Sequence, residues 1–190
     1  MRHRFASIKR VARILWLDPL SRRHLVRILT DKGKRWEKAD LKPEDAARAA
    51  FTFSPTEGVS TFMVRNPQDE VAAVAAHLLG RQTSLRVPLH VLRIPTRSIR
   101  KRQITAIQSM GITGVMRVDK LHVDLYAVKQ EYVDLGEELL DSQRSGADRV
   151  RRITGEIITH QLQKFAQLGR EEIGVEAQRA VQRYLSSSGA

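Results

Sequence analysis

The sequence predicts an α+β fold, predominantly helical, with a small sheet of about three to five strands in the middle and a helical C-terminal region. Three observations carry this prediction. Apolar residues recur at helical spacing through the first and last thirds. Period-two alternation is confined to the middle. Gly, Pro and Asn-Pro punctuation separates the segments. Strand, helix, strand, helix over residues 58–110 is the order of an α+β or α/β core.

Residues 7–17 are predicted as a helix, with Phe5, Ile8, Ala12 and Leu15 on one face. Asp18-Pro19 ends it, because proline lacks an N–H and fixes φ. Ser21 then caps a second helix, with Leu25, Ile28 and Leu29 on one face, Arg22, Arg23 and Arg27 on the other, and Gly33 as its stop. Helix, short turn and basic helix make the outline of a helix-turn-helix, whose second helix can enter a major groove. A helical hairpin with solvated arginines has the same outline.

From Lys42 the texture changes. Pro43, Glu44 and Asp45 start a short helix through about Ala50. Residues 58–65 form a strand, and Asn66-Pro67 opens a helix over 67–79, with Asp69 and Glu70 in its first turn and Gly80 as its stop. Leu85, Val87, Leu89 and Val91 alternate with Arg86, Pro88 and His90, and Pro88 puts this strand on an edge. Thr96 caps a basic helix over 97–110 that Gly111 ends.

Residues 114–140 carry two periods. Leu121, Leu125, Val128, Tyr132, Leu135 and Leu139 have heptad spacing, yet Leu121, Val123 and Leu125 also alternate with His122 and Asp124. The reading adopted is a hairpin of 114–118 with 121–127, turning at Asp119-Lys120, followed by a helix. Val150, Ile153, Ile157, Ile158, Leu162, Phe165 and Leu168 then make one apolar helical face, and Ala177, Val181, Tyr184 and Leu185 another. Three segments result: a basic helical arm, 1–38; an α+β core, 39–127; and a helical region, 128–190, suited to dimerisation.

Charge points to the partner. Residues 1–38 hold twelve Lys/Arg against three acids, +9 of a total of +12, and residues 93–120 hold seven against Asp119 alone. Residues 121–142 carry six acids against Lys129. Concentrated positive charge attracts polyanions. Arg outnumbers Lys 24 to 9, and a forked guanidinium pairs phosphate oxygens bidentately. Aromatic residues are few, which favours duplex backbone contacts over stacking on single strands.

Enzyme signatures are thin. The chain has no Walker loop, no G-x-G-x-x-G and no G-x-S-x-G, and its six histidines are scattered without metal-ligand spacing. His77 is read as a core or boundary residue. The one acid-x-Lys match, Asp40-Leu41-Lys42, runs into Pro43. Zero cysteines remove disulfides and thiolate chemistry and fit a reducing compartment. Apolar runs fall far short of the roughly 20 residues that span a bilayer. The first 17 residues, with five Lys/Arg and no acid, also resemble an organellar presequence.

The sequence therefore predicts a cytoplasmic nucleic-acid-binding protein, on duplex DNA before RNA, without catalysis, cofactor or metal and with no membrane partner. An organellar matrix is the alternative location. The expected phosphate contacts are Arg10, Arg13, Arg22, Arg23, Arg27, Lys34, Arg35, Arg97, Arg100, Lys101 and Arg102. A homo-oligomer is expected. The first rival is an oligomeric assembly subunit binding an acidic protein partner, and the second is a metal-dependent nuclease.

Overall fold

A computed structural model describes residues 13–14, 24–29, 35–36, 38, 40–51, 53, 57–81 and 89–187. Among the described residues, seven strands form one antiparallel sheet in the order β1-β5-β6-β3-β2-β4-β7. They are β1 (Arg13–Ile14), β2 (His24–Leu29), β3 (Val59–Val64), β4 (Leu89–Pro95), β5 (Thr105–Gln108), β6 (His122–Tyr126) and β7 (Val150–Ile153). The helices among the described residues are α1 (Pro43–Ala50), α2 (Pro67–Arg81), α3 (Thr96–Lys101), α4 (Met116–Asp119), α5 (Lys129–Arg144), α6 (Gly155–Ala166) and α7 (Val175–Ser187). The chain is thus mixed α and β. The small sheet of about three to five strands in a predominantly helical chain is corrected by a sheet that draws strands from all three predicted segments.

The largest correction concerns β2. The expected helix at 21–33 is instead a strand that pairs with β4 over six positions, from His24↔Pro95 to Leu29↔His90, and with β3 on its other side. Burial on both faces explains the misreading. Leu25 and Leu29 face one core, while Val26 and Ile28 face the other. A strand buried on both faces loses its alternation, and its apolar run mimics helical spacing. No helix-turn-helix can form around this strand. Of the helix expected at 7–17, Arg13–Ile14 is strand β1, paired with β5, and the remainder lies outside the described residues.

Other boundaries move for similar reasons. The expected edge strand is β4, which begins at Leu89 and runs between β2 and β7 in the sheet interior. The helix expected at 97–110 stops at Lys101. Gln103 takes a positive φ of 54°, and β5 follows. The first arm of the expected hairpin is the short helix α4, so β6 pairs with β3 and β5 instead. Val150 and Ile153 lie on β7 rather than on a helix. By contrast, α1, β3, the start of α2, the helix after Ala127 and α7 follow the sequence reading.

The sheet carries a core on each face. On one, Val26, Ile28, Phe62, Val64 and Val91 pack against α2, α6 and α7. On the other, Leu25, Leu29, Leu92, Ile94, Val123 and Leu125 pack against α1 and α5. Ile158, Leu162, Phe165 and Val181 are at most 1% exposed, so the apolar faces expected to dimerise are covered by the chain itself. The helices α1 and α5 approach closely at Gly136, where an added Cβ would lie 3.0 Å from Ala47 Cβ and 3.1 Å from Ala47 N. No described helix is long and apolar enough to cross a membrane.

Candidate nucleic-acid interface

The antiparallel register collects basic residues at one end of the sheet. His24 opposes both Val64 and Pro95, so β2 begins where β3 and β4 end, and β6 begins beside them with His122↔Phe62. Arg65 follows β3, Lys120 precedes β6, and α3 leaves from the end of β4. Three inter-strand steps of about 4.8 Å give a rim of roughly 14 Å, which spans several phosphates at about 3.4 Å of axis per strand charge.

Beside this rim lies a groove of about 680 Å³, between the start of α2, helix α4 and the C-terminal half of α6. Its lining includes Arg65, Arg117, Lys120 and Lys164, none of which makes an ion pair among the described residues, and the acids Asp69, Glu171 and Glu172. Local chemistry sets each wall. Asn66 Oδ1 accepts hydrogen bonds from Gln68 N (2.9 Å) and Asp69 N (2.8 Å), and Asp69 Oδ2 accepts one from Arg65 N (3.2 Å), which starts α2 and holds Arg65 at the mouth.

Helix α4 is anchored by the buried Asp119. Its Oδ1 accepts from Thr113 N (2.8 Å) and Thr113 Oγ1 (2.7 Å), and its Oδ2 accepts from Gly114 N (3.1 Å). Met116 N donates to Glu172 O at 2.9 Å, and Gly174 N donates to Gly114 O at 2.8 Å, closing the wall formed by residues 171–174. Arg117 is held from below, with its guanidinium carbon 5.6 Å from the Phe165 ring centroid. Gln161 also lines the groove; it is 6% exposed, and its Nε2 is buried without a hydrogen-bond partner among the described residues. An unpaired buried amide costs about 1–3 kcal/mol, which a bound acceptor would recover.

The expected contacts divide into groups. Arg97, Arg100 and Lys101 are exposed on α3 and unpaired among the described residues, and Arg35 is exposed. Arg97 stands near enough to Arg149 to depress that guanidinium's pKa, second to the effect of burial. Arg102 is different. It pairs with Glu138 (3.0 Å) and Asp134 (3.7 Å), so part of the acidic stretch on α5 neutralises it. Arg27 points under α1, donating from Nε to Ala50 O (3.0 Å) and from Nη1 to Ser60 O (2.8 Å). Arg13 lies on β1, while Arg10, Arg22, Arg23 and Lys34 lie outside the described residues. The sequence reading missed Arg65, Arg117, Lys120, Lys164 and Gln161 as site residues. Their one sequence signal was the basic block 93–120, which contains Arg117 and Lys120.

A second polar cluster ties β5 to β6. Ser109 Oγ donates to Asp124 Oδ2 at 2.7 Å and lies 2.7 Å from His122 Nδ1, while His122 Nε2 is 3.7 Å from Asp124 Oδ1. A nucleophile triad places the imidazole between hydroxyl and carboxylate. Here the hydroxyl stands between the other two and its proton is spent on the carboxylate, so the cluster is a cross-strand lock. Burial pulls the His122 pKa down, against the opposing pull of Asp124 and Asp119.

No protein family, curated protein or solved structure matches this chain, and its groove and cationic rim stand on its own residues.

Proposed function

We propose that this protein binds nucleic acid through its phosphates, duplex DNA in preference to RNA, in the cytoplasm and without catalysing a reaction. The carrying observation is that Arg65, Arg117, Lys120 and Lys164 share one groove without an ion pair among the described residues. Arg97, Arg100 and Lys101 on α3 add further exposed cations beyond the end of β4. Four cations against the three acids Asp69, Glu171 and Glu172 leave the groove net positive, and a polyanion bound there would release its own counterions. The described aromatic rings are buried or, at Phe53, Tyr126 and Tyr184, only part-exposed, which disfavours stacking on single strands.

The experiment is a mobility-shift series on duplex DNA, single-stranded DNA and structured RNA at about 50 and 200 mM salt. Duplex DNA is expected to shift best, with affinity falling steeply at the higher salt. Absence of a shift on all three would overturn this function.

A further inference from the structure

We infer that the groove is a receptor for a terminal phosphate monoester rather than for the internal diesters of a nucleic-acid backbone. This rests on reading the groove as a phosphate site. The first argument is depth. Gln161 lines the groove together with the buried Ala72 and Val118, and its buried Nε2 has no hydrogen-bond partner among the described residues. An internal diester is flanked by sugars on both sides and offers two non-bridging oxygens along a surface. A terminal monoester projects from its chain and offers three oxygens, so it enters a groove farther than an internal diester does.

The second argument is charge. A monoester carries about −1.5 to −2 near pH 7, which matches unpaired cations on several walls better than the single charge of a diester does. The acids matter equally. Asp69, Glu171 and Glu172 also line the groove, so a strand threading through it would set neighbouring phosphates against carboxylates. A strand that ends there has a neighbour on one side alone. The third argument is size: about 680 Å³ holds a phosphate with its sugar, within the range of small-ligand sites, so a duplex would seat the end of one strand there while its backbone lies along the cationic rim.

The test is fluorescence anisotropy with one labelled hairpin duplex, prepared with a 5′-phosphate and with a 5′-hydroxyl. The phosphorylated form is expected to bind about tenfold tighter, the scale of one lost charge-assisted contact pair. That preference should vanish in Gln161→Leu, which removes the donor, and in Lys164→Ala, an exposed position whose change spares the core. Competition by adenosine monophosphate and by inorganic phosphate identifies the source of the monoester. If the nucleotide displaces the hairpin's phosphate preference at low concentration, a free nucleotide is the occupant and the monoester chemistry stands. If it does not, a strand end is the occupant. Equal binding of the two hairpins, with no binding of the nucleotide, overturns this inference while leaving the nucleic-acid function intact. Binding of the nucleotide but of neither hairpin keeps the monoester receptor and removes the nucleic-acid function.

Discussion

Arg93 on β4 holds Glu70 on α2 through two hydrogen bonds, Nε to Oε2 at 2.7 Å and Nη2 to Oε1 at 3.1 Å. Arg151 of β7 adds a third at 3.0 Å, and His24 of β2 stands 3.7 Å away. Glu70 is fully buried, so this one carboxylate ties three neighbouring strands to the helix that covers them. Burial alone would raise its pKa. His24, Arg93 and Arg151 outweigh burial and hold it at about 2.

Replacing this carboxylate should cost heavily. Glu70→Gln leaves Arg151 without its charge partner among the described residues and Arg93 with Asp148 alone, and breaking a buried pair from one side costs about 3–5 kcal/mol. A folded pKa below the unfolded value of about 4.3 contributes stability above that value and loses it as pH falls towards about 2. Urea denaturation of the parent protein should therefore weaken between about pH 4.5 and 2 by roughly 3 kcal/mol from this group. The variant should be weaker at neutral pH and flatter across that window. An unchanged neutral midpoint would refute the assignment.

At Gly136 the prediction is steric. An added methyl meets the backbone and Cβ of Ala47 at 3.0–3.2 Å, so α1 and α5 must separate. Gly136→Val should destabilise by about 1–3 kcal/mol in thermal or urea unfolding, as overpacked cores do. Pairing it with Ala47→Gly should recover part of that loss. Simple addition of the two single effects would mean that the helices do not meet there.

His122 gives a pH signature of its own. Its pKa is lowered by burial, so the unfolded chain takes up a proton before the folded one does. Stability should fall as pH drops through about 6.5, the ordinary histidine value, and level off below the folded value. The imidazole followed by NMR should titrate below 6.5. Asp124→Asn, which removes a carboxylate that favours the charged ring, should move it lower still. An upward movement would contradict the geometry of the Ser109 lock.

The basic residues should separate into two behaviours. Arg97, Arg100 and Lys101 are exposed on α3 without an ion pair among the described residues, so changing all three to Ala should weaken duplex binding and lower the salt slope by up to about 3, with little loss of stability. Arg102→Ala should act mainly on stability, since it leaves Glu138 and Asp134 behind. Arg27→Ala should likewise destabilise, because Ala50 O and Ser60 O lose their donor. Stability measurements beside the binding assay distinguish these roles. A triple variant that binds as tightly as the parent would remove α3 from the interface.

Several elements were legible because a local cause sufficed. Pro43 with Glu44 and Asp45 starts α1, and Asn66-Pro67 starts α2, each through groups within one turn. The strand at 59–64 and the helices α5 and α7 likewise showed their own periods. The failures share a cause. Leu25, Val26, Ile28 and Leu29 are buried on both faces of a central strand, and a run without alternation has no period to read. Val150 and Ile153 happen to be spaced as a helix face, but β4 recruits them as an edge strand through Leu92↔Val150 and Leu89↔Ile153.

The same division holds for function. The sequence by itself determined the sign and density of charge, the preference for arginine, and the shortage of rings for stacking, because these are properties of composition. Only the tertiary structure decided which cations are available. It turned Arg27 under α1 and gave Arg102 to Glu138, and it brought Arg65, Arg117, Lys120 and Lys164 to one groove from distant parts of the chain. The physical reason is that a charge is screened or freed by neighbours in space. In an antiparallel sheet those neighbours are set by strand order, which the sequence does not spell out.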